Sequence, residues 1–180
     1  TETHTSIISL NLCYAYTTYF SDSICIDSDV FDMTEQEKAC EVQTLSSSGT
    51  GAPVAITEVK PKMLSHDSST ITPEFKLTIE NVGEGQVIKS SKIEQACTSE
   101  SFSHKDFNEV KIRVAQMSGH SLECQPNPVK LEDDTAISYC RLPGGVSMDA
   151  GNYKTTVNFE LDYGYTANIA ESVEIRKFIK

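Results

Sequence analysis

Apolar and polar residues alternate with period two along most of this chain. Residues 153–163 put Tyr153, Thr155, Val157, Phe159, Leu161 and Tyr163 on one face, and Lys154, Thr156, Asn158, Glu160 and Asp162 on the other. Such a run predicts a strand with one buried face and one wet face. Phe75, Leu77 and Ile79 alternate with Lys76, Thr78 and Glu80 in the same way, as do Val110, Ile112 and Val114 with Lys111 and Arg113. Val173 and Ile175 form a further pair, and Leu10, Leu12, Tyr14 and Tyr16 an N-terminal one; Val54 with Ile56, Val129 with Leu131 and Ile137 with Tyr139 are shorter. Turn-forming residues separate the runs: Asn81-Val82-Gly83-Glu84-Gly85, Pro126-Asn127-Pro128, Pro143-Gly144-Gly145 and Gly151-Asn152. Helical periodicity is confined to one turn's worth of residues at 34–39 and again at 103–108. Short strands without helical crossovers predict an all-β fold, an antiparallel sandwich.

Ser46 to Gly51 is rich in small residues and reads as a linker. It divides the chain into 1–45, an N-terminal strand and disulfide-loop segment, and 52–180, the sandwich domain. The six cysteines (Cys13, Cys25, Cys40, Cys97, Cys124 and Cys140) show no CxxC spacing of the zinc or redox kind. An even, scattered set points to disulfides and an oxidising or extracellular setting. Fifteen complete pairings are open. The preferred one joins Cys25 to Cys40 across an acidic loop and Cys124 to Cys140 across a Pro- and Asp-rich one, leaving Cys13 for Cys97. The first residue is Thr1 rather than Met, so a processed chain or a fragment is expected, its signal segment already gone.

Charge narrows the partners. The 180 residues carry a net charge of −11, which repels phosphate backbones and anionic bilayers and argues against nucleic acid. With 38% hydrophobic and 23% charged residues the composition is that of an ordinary folded domain. No apolar run approaches the roughly 18 residues of a membrane-spanning helix.

Candidate chemistry is sparse. His4, His66, His104 and His120 lie far apart without HxH or HExxH spacing. The serines at 46–48 lack a GxSxG elbow. Asp27, Asp29, Asp32 and Glu35 form a hard-oxygen cluster of the kind calcium takes, but no glycine or glutamate stands where an EF-hand loop needs one, and a solvated acidic loop is the plainer expectation. No set of residues makes a nucleophile, base and oxyanion site, so a non-enzyme is expected, with no cofactor beyond that calcium. Tyr14, Tyr16, Tyr19 and Phe20, with Phe159, Tyr163 and Tyr165, read first as core aromatics and second as a subunit contact.

Several segments in order resemble an immunoglobulin-like domain family of archaeal secreted and cell-surface proteins: Gly51 to Thr57, Ile79 to Gly85, Leu122 to Val129, Tyr139-Cys140, Leu161 to Tyr165 and Ser172 to Ile175, preceded by Cys13 to Thr17 and Cys25 to Asp27. The strand followed by Asn-x-Gly-x-Gly is also similar to the cell-adhesion-related sandwich of prokaryotic exoproteins. The resemblance implies an immunoglobulin-like sandwich with an N-terminal strand extension and a cell-surface location, and implies no catalytic residues. Two roles follow. One is a structural subunit of a filament or similar homopolymer, joined by a donor strand whose Ile7, Leu10, Leu12 and Tyr14 fill a neighbour's pockets. The other is a monomeric adhesion or recognition module that binds another surface protein or a glycan through loops at 62–73, 89–108 and 141–152.

Overall fold

A computed structural model describes residues 3–29, 37–48, 51–65, 69–98 and 103–176. Two antiparallel sheets are built from them. In the first, β1 (Thr3–Asp27) lies at the edge, followed by β12 (Asn152–Arg176), β6 (Glu109–Met117) and β7 (His120–Ser121). The short strands β5 (Gln86–Ile88) and β9 (Val129–Lys130) join β12 and β6 respectively. The second sheet runs β2 (Leu45–Ser46), β3 (Val54–Ser65), β4 (Thr70–Asn81), β10 (Thr135–Arg141) and β8 (Glu123–Gln125), with β11 (Val146–Ser147) beside β4. Among the described residues, helix is limited to the single turn α1 (Ile93–Ala96) and three 3-10 turns.

The core lies between the sheets, where the alternation directs it. Val54, Ile56, Val59, Phe75, Leu77 and Ile79 of the second sheet meet Ile24, Ile26, Val157, Phe159 and Leu161 of the first, all removed from water. Burying side chains of this size contributes roughly 1.5–3 kcal/mol each. Two bulges reset the alternation. An extra residue at Thr57 moves the buried phase of β3 from even positions (Val54, Ile56) to odd (Val59). An irregularity at Arg113 leaves Val114 opposite Glu160 and turns Ala115 and Met117 toward Phe159 and Val157. Val114 was expected on the face of Val110 and Ile112; the bulge puts it on the other.

The N-terminal segment is part of the sandwich and not a unit ahead of it. Ile24 and Ile26 are core residues. Ser46, expected in a linker, pairs in β2 with Glu58, and the Ser47 amide donates to the Thr57 carbonyl at 2.9 Å. The boundary between 45 and 52 therefore divides nothing physically.

One polar group bolts the sheets together. The Tyr163 hydroxyl, at the end of a fully buried ring, lies 2.9 Å from Thr18 Oγ1, while the Val54 amide donates to it at 3.2 Å. Burial pushes this phenol up to about 12, the neighbouring hydrogen bonds pulling only partly back. The folded state thus keeps a proton that the unfolded chain releases near pH 10. Its stabilising share is complete below pH 10 and is lost as pH rises through about 12. Tyr163→Phe should flatten this alkaline decline in melting temperature between pH 9 and 12 and, by stranding the Val54 amide, cost about 1–3 kcal/mol at neutral pH. An unchanged alkaline slope in the variant would remove Tyr163 as its source.

Candidate assembly surface

The longest feature of the molecule is the pairing of β1 with β12. Thr3 faces Arg176, Tyr14 faces Tyr165 and Asp27 faces Asn152, with no slip between them. Directly opposed residues share a face. The core face is therefore carried by even residues of β1 and odd residues of β12. Aromatic pairs stack along it: Phe20 with Phe159 at 6.1 Å between ring centroids, Tyr16 with Tyr163 at 5.8 Å and Tyr14 with Tyr165 at 5.9 Å. Cross-strand aromatics contribute on the order of 0.5–1 kcal/mol apiece. Tyr19, one residue out of phase, is exposed on the opposite face.

Past Tyr14 and Tyr165 the second sheet ends and the ribbon continues. β5 reaches β12 only as far as Thr166. Beyond it, Thr3–Leu12 and Ala167–Arg176 form a two-stranded arm. At about 3.3 Å per residue, its ten rungs extend roughly 30 Å. Beyond the root, the core face runs on along the arm with no strand of the described residues packed over it. Leu10 opposite Ile169, and Ile8, Leu12, Val173 and Ile175, are 40–61% exposed. The opposite face is polar: Thr5, Ser9 and Asn11 with Asn168, Ser172 and Glu174. Ile7 lies on that polar face, opposite Ser172. It does not share a face with Leu10, Leu12 and Tyr14, as a common set of pocket-filling side chains would require, because its position is odd.

The arm's root is clamped from both sides. On the core side, the Gly85 amide donates to the Tyr165 hydroxyl at 2.6 Å and the Asn81 side-chain amide donates to the Gly85 carbonyl at 3.0 Å. A Cβ at Gly83 would fall 2.3 Å from the Tyr165 hydroxyl, and one at Gly85 would fall 2.2 Å from the Thr166 carbonyl. The glycines of Asn81-Val82-Gly83-Glu84-Gly85 thus serve close approach to β12. On the polar side, Cys13 is bridged to Cys97 just after α1. The other disulfides join Cys25 to Cys40, next to the core, and Cys124 to Cys140 at directly opposed positions of β8 and β10. Three disulfides fit an oxidising compartment.

Backbone direction at the free edge follows from the same register. The Ser28 amide donates to the Gly151 carbonyl, one rung beyond Asp27 and Asn152. Even residues of β1 therefore direct N–H and C=O toward β12, and odd residues direct theirs outward. Thr3, Thr5, Ile7, Ser9 and Asn11 present the arm's outer edge on one side. Even residues of β12 from Asn168 to Arg176 present it on the other.

The remaining candidates do not converge. Asp27 pairs with Lys38 at 2.9 Å and accepts from the Asp29 amide at 3.1 Å, while Asp32 and Glu35 lie outside the described residues. Among the described residues no three His, Cys, Asp or Glu side chains are grouped to hold a metal ion. Of the expected loops, 62–73 is largely strand (β3 and β4), 89–108 holds α1 with two 3-10 turns, and 141–152 holds β11 and one 3-10 turn. No family model, curated protein or solved structure matches the chain.

Proposed function

We propose that this chain is a non-enzymatic structural subunit of an extracellular, cell-surface assembly, and that the β1–β12 arm joins it to further copies by strand addition. The observation that carries this reading is a 30-Å-scale ribbon whose backbone edges are, among the described residues, unpaired on both sides, protruding from a disulfide-stapled body. Natural sheets usually blunt such edges with lysine, proline or bulges. The arm has none of these: its register is unbroken and its charged residues are Glu171, Glu174 and Arg176. The strand is not a free donor, since β1 is paired at home along its whole length. Addition is edge to edge, between intact ribbons, and repetition of it gives a filament.

Negative-stain microscopy and sedimentation of the full chain test this. Large ordered species should form as concentration rises, and Thr5→Pro with Ser9→Pro should prevent them. Both prolines delete outward N–H groups and spare the ribbon's own hydrogen bonds. Absence of large species in the unmodified chain at high concentration would sink the proposal.

One observation favours a second reading, a monomeric adhesion module acting through its loops: the home pairing of β1 completes the sheet without a partner. A chain that stays monomeric and binds a glycan or surface protein in solution decides for it.

A further inference from the structure

We infer that the apolar face of the arm is the contact between two copies of this chain, packed face to face about a two-fold axis. This deepens the assembly proposed above and rests on it for the identity of the partner; it adds a contact distinct from the free edges.

Three observations commit the face to a second copy. The first is where the apolar surface lies. Among the described residues, nine of the fourteen exposed large hydrophobics belong to the arm and its root, and the other five (Tyr19, Val42, Val82, Ile137 and Tyr139) are scattered singly or in a pair over the body. Among the described residues the body exposes no apolar surface as extensive as the arm face, which leaves that face as its own best complement, the condition for an isologous contact. The second is charge. Two copies at −11 repel, yet Glu171, Glu174 and Arg176 leave the arm at only −1 of that total. Two acidic chains approach there with little charge repulsion.

The third is area. Ile8, Leu10, Leu12, Ile169, Val173 and Ile175 present on the order of 500 Å² per copy, so pairing removes at most about 1,000 Å² from these residues, the size of a weak, reversible interface. The groove at each root, about 560 Å³ and lined by Tyr14, Pro53, Val82 and Ile169, stands where the partner's arm tip would end. A patch of this size is about the largest that a single monomer ordinarily shows, and such patches are often functional. The contact repeats what the ribbon does nearer the body, where the same face packs on the second sheet.

The face carries one carboxylate. Glu171 stands opposite Ile8, near the middle of the arm. A two-fold packing brings it toward its copy, so it opposes the pair and sets its strength.

Sedimentation equilibrium of the full chain across a wide concentration range tests the contact. We expect a reversible dimer at micromolar concentration that tightens in 1 M salt, since the attraction is apolar and the repulsion is screened. Leu10→Thr with Ile169→Thr keeps a strand-favouring cross-strand pair and should weaken the dimer at least tenfold. Glu171→Gln should strengthen it several-fold, and Ile7→Thr, on the polar face, should leave it unchanged. Circular dichroism and intact-mass counting of the three disulfides show that each variant is folded.

A dimer indifferent to the Leu10 and Ile169 changes, or larger species without any dependence on them, overturns face pairing while leaving strand addition standing. A face-dependent dimer that never grows overturns strand addition and leaves face pairing standing. A chain that is monomeric throughout overturns both, and if it floats with phosphatidylcholine vesicles the face belongs to lipid instead.

Discussion

Phe159→Ala should lower the stability of the molecule by about 3–5 kcal/mol, among the largest losses available to one substitution here. Phe159 is fully buried on β12, between β1 on one side and β6 on the other. Its ring stacks with Phe20 across one interstrand gap and its backbone pairs with Ala115 across the other. Truncation removes the ring's transfer energy and leaves a void that three hydrogen-bonded strands cannot close. Tyr19→Ala is the matched control. Tyr19 stands opposite Glu160 on the outer face, 61% exposed, and its loss should cost about 0.5 kcal/mol or less. Urea unfolding of both variants measures the difference. Similar midpoints for the two would mean that the core face of the ribbon has been assigned to the wrong parity.

The parity itself was readable in the residues. Val157, Phe159, Leu161, Tyr163 and Tyr165 are odd, and so are Ile169, Val173 and Ile175; Ile8, Leu10, Leu12, Tyr14 and Tyr16 are even. What obscured a single strand from 152 to 176 was Gly164 and the polar stretch after it, which look like a turn. The structure gives that glycine another reason. A Cβ at Gly164 would stand 3.0 Å from the Ile93 side chain and 3.1 Å from the Ile88 carbonyl, so the glycine lets β5 and the 90–96 segment close on the strand. Close approach and a turn leave the same mark in a sequence, and only the third dimension separates them.

The pairing of the two ends was not readable. Thr17 and Asp162, hydrogen bonded at 2.8 Å, are 145 positions apart. Nothing local in either segment names the other, and an N-terminal strand with no evident neighbour reads naturally as one that leaves its domain. The bulges at Thr57 and Arg113 were hidden for the opposite reason. Each is a shift of one residue, smaller than the tolerance of any alternation pattern, yet each reverses which side chains face the core downstream of it. The acidic loop shows a third limit: composition brought Asp27 and Asp29 to notice, but Asp27 is met by Lys38 and the Asp29 amide, groups that a count of carboxylates does not include.

Removal of the Cys13–Cys97 bridge, as Cys13→Ala with Cys97→Ala, should produce a loss of comparable size by a different route. The bridge closes 84 residues. In the chain-entropy model a loop that long restricts the unfolded state by about 4.5 kcal/mol, against about 3 kcal/mol for the 15-residue loop of Cys25–Cys40. The local consequence is as distinctive as the global one. Cys13 stands opposite Thr166, where β5 gives out and the arm begins. Without the bridge the arm's root loses its covalent clamp on the polar side, and a bare two-stranded ribbon is marginal in water. Amide hydrogen exchange should therefore quicken throughout Thr3–Leu12 and Ala167–Arg176 while Ile24, Ile26, Phe75 and Phe159 keep their relative protection. A loss below about 1 kcal/mol, with arm exchange unchanged, would show that the ribbon's own cross-strand pairs hold it and that this disulfide constrains neither state.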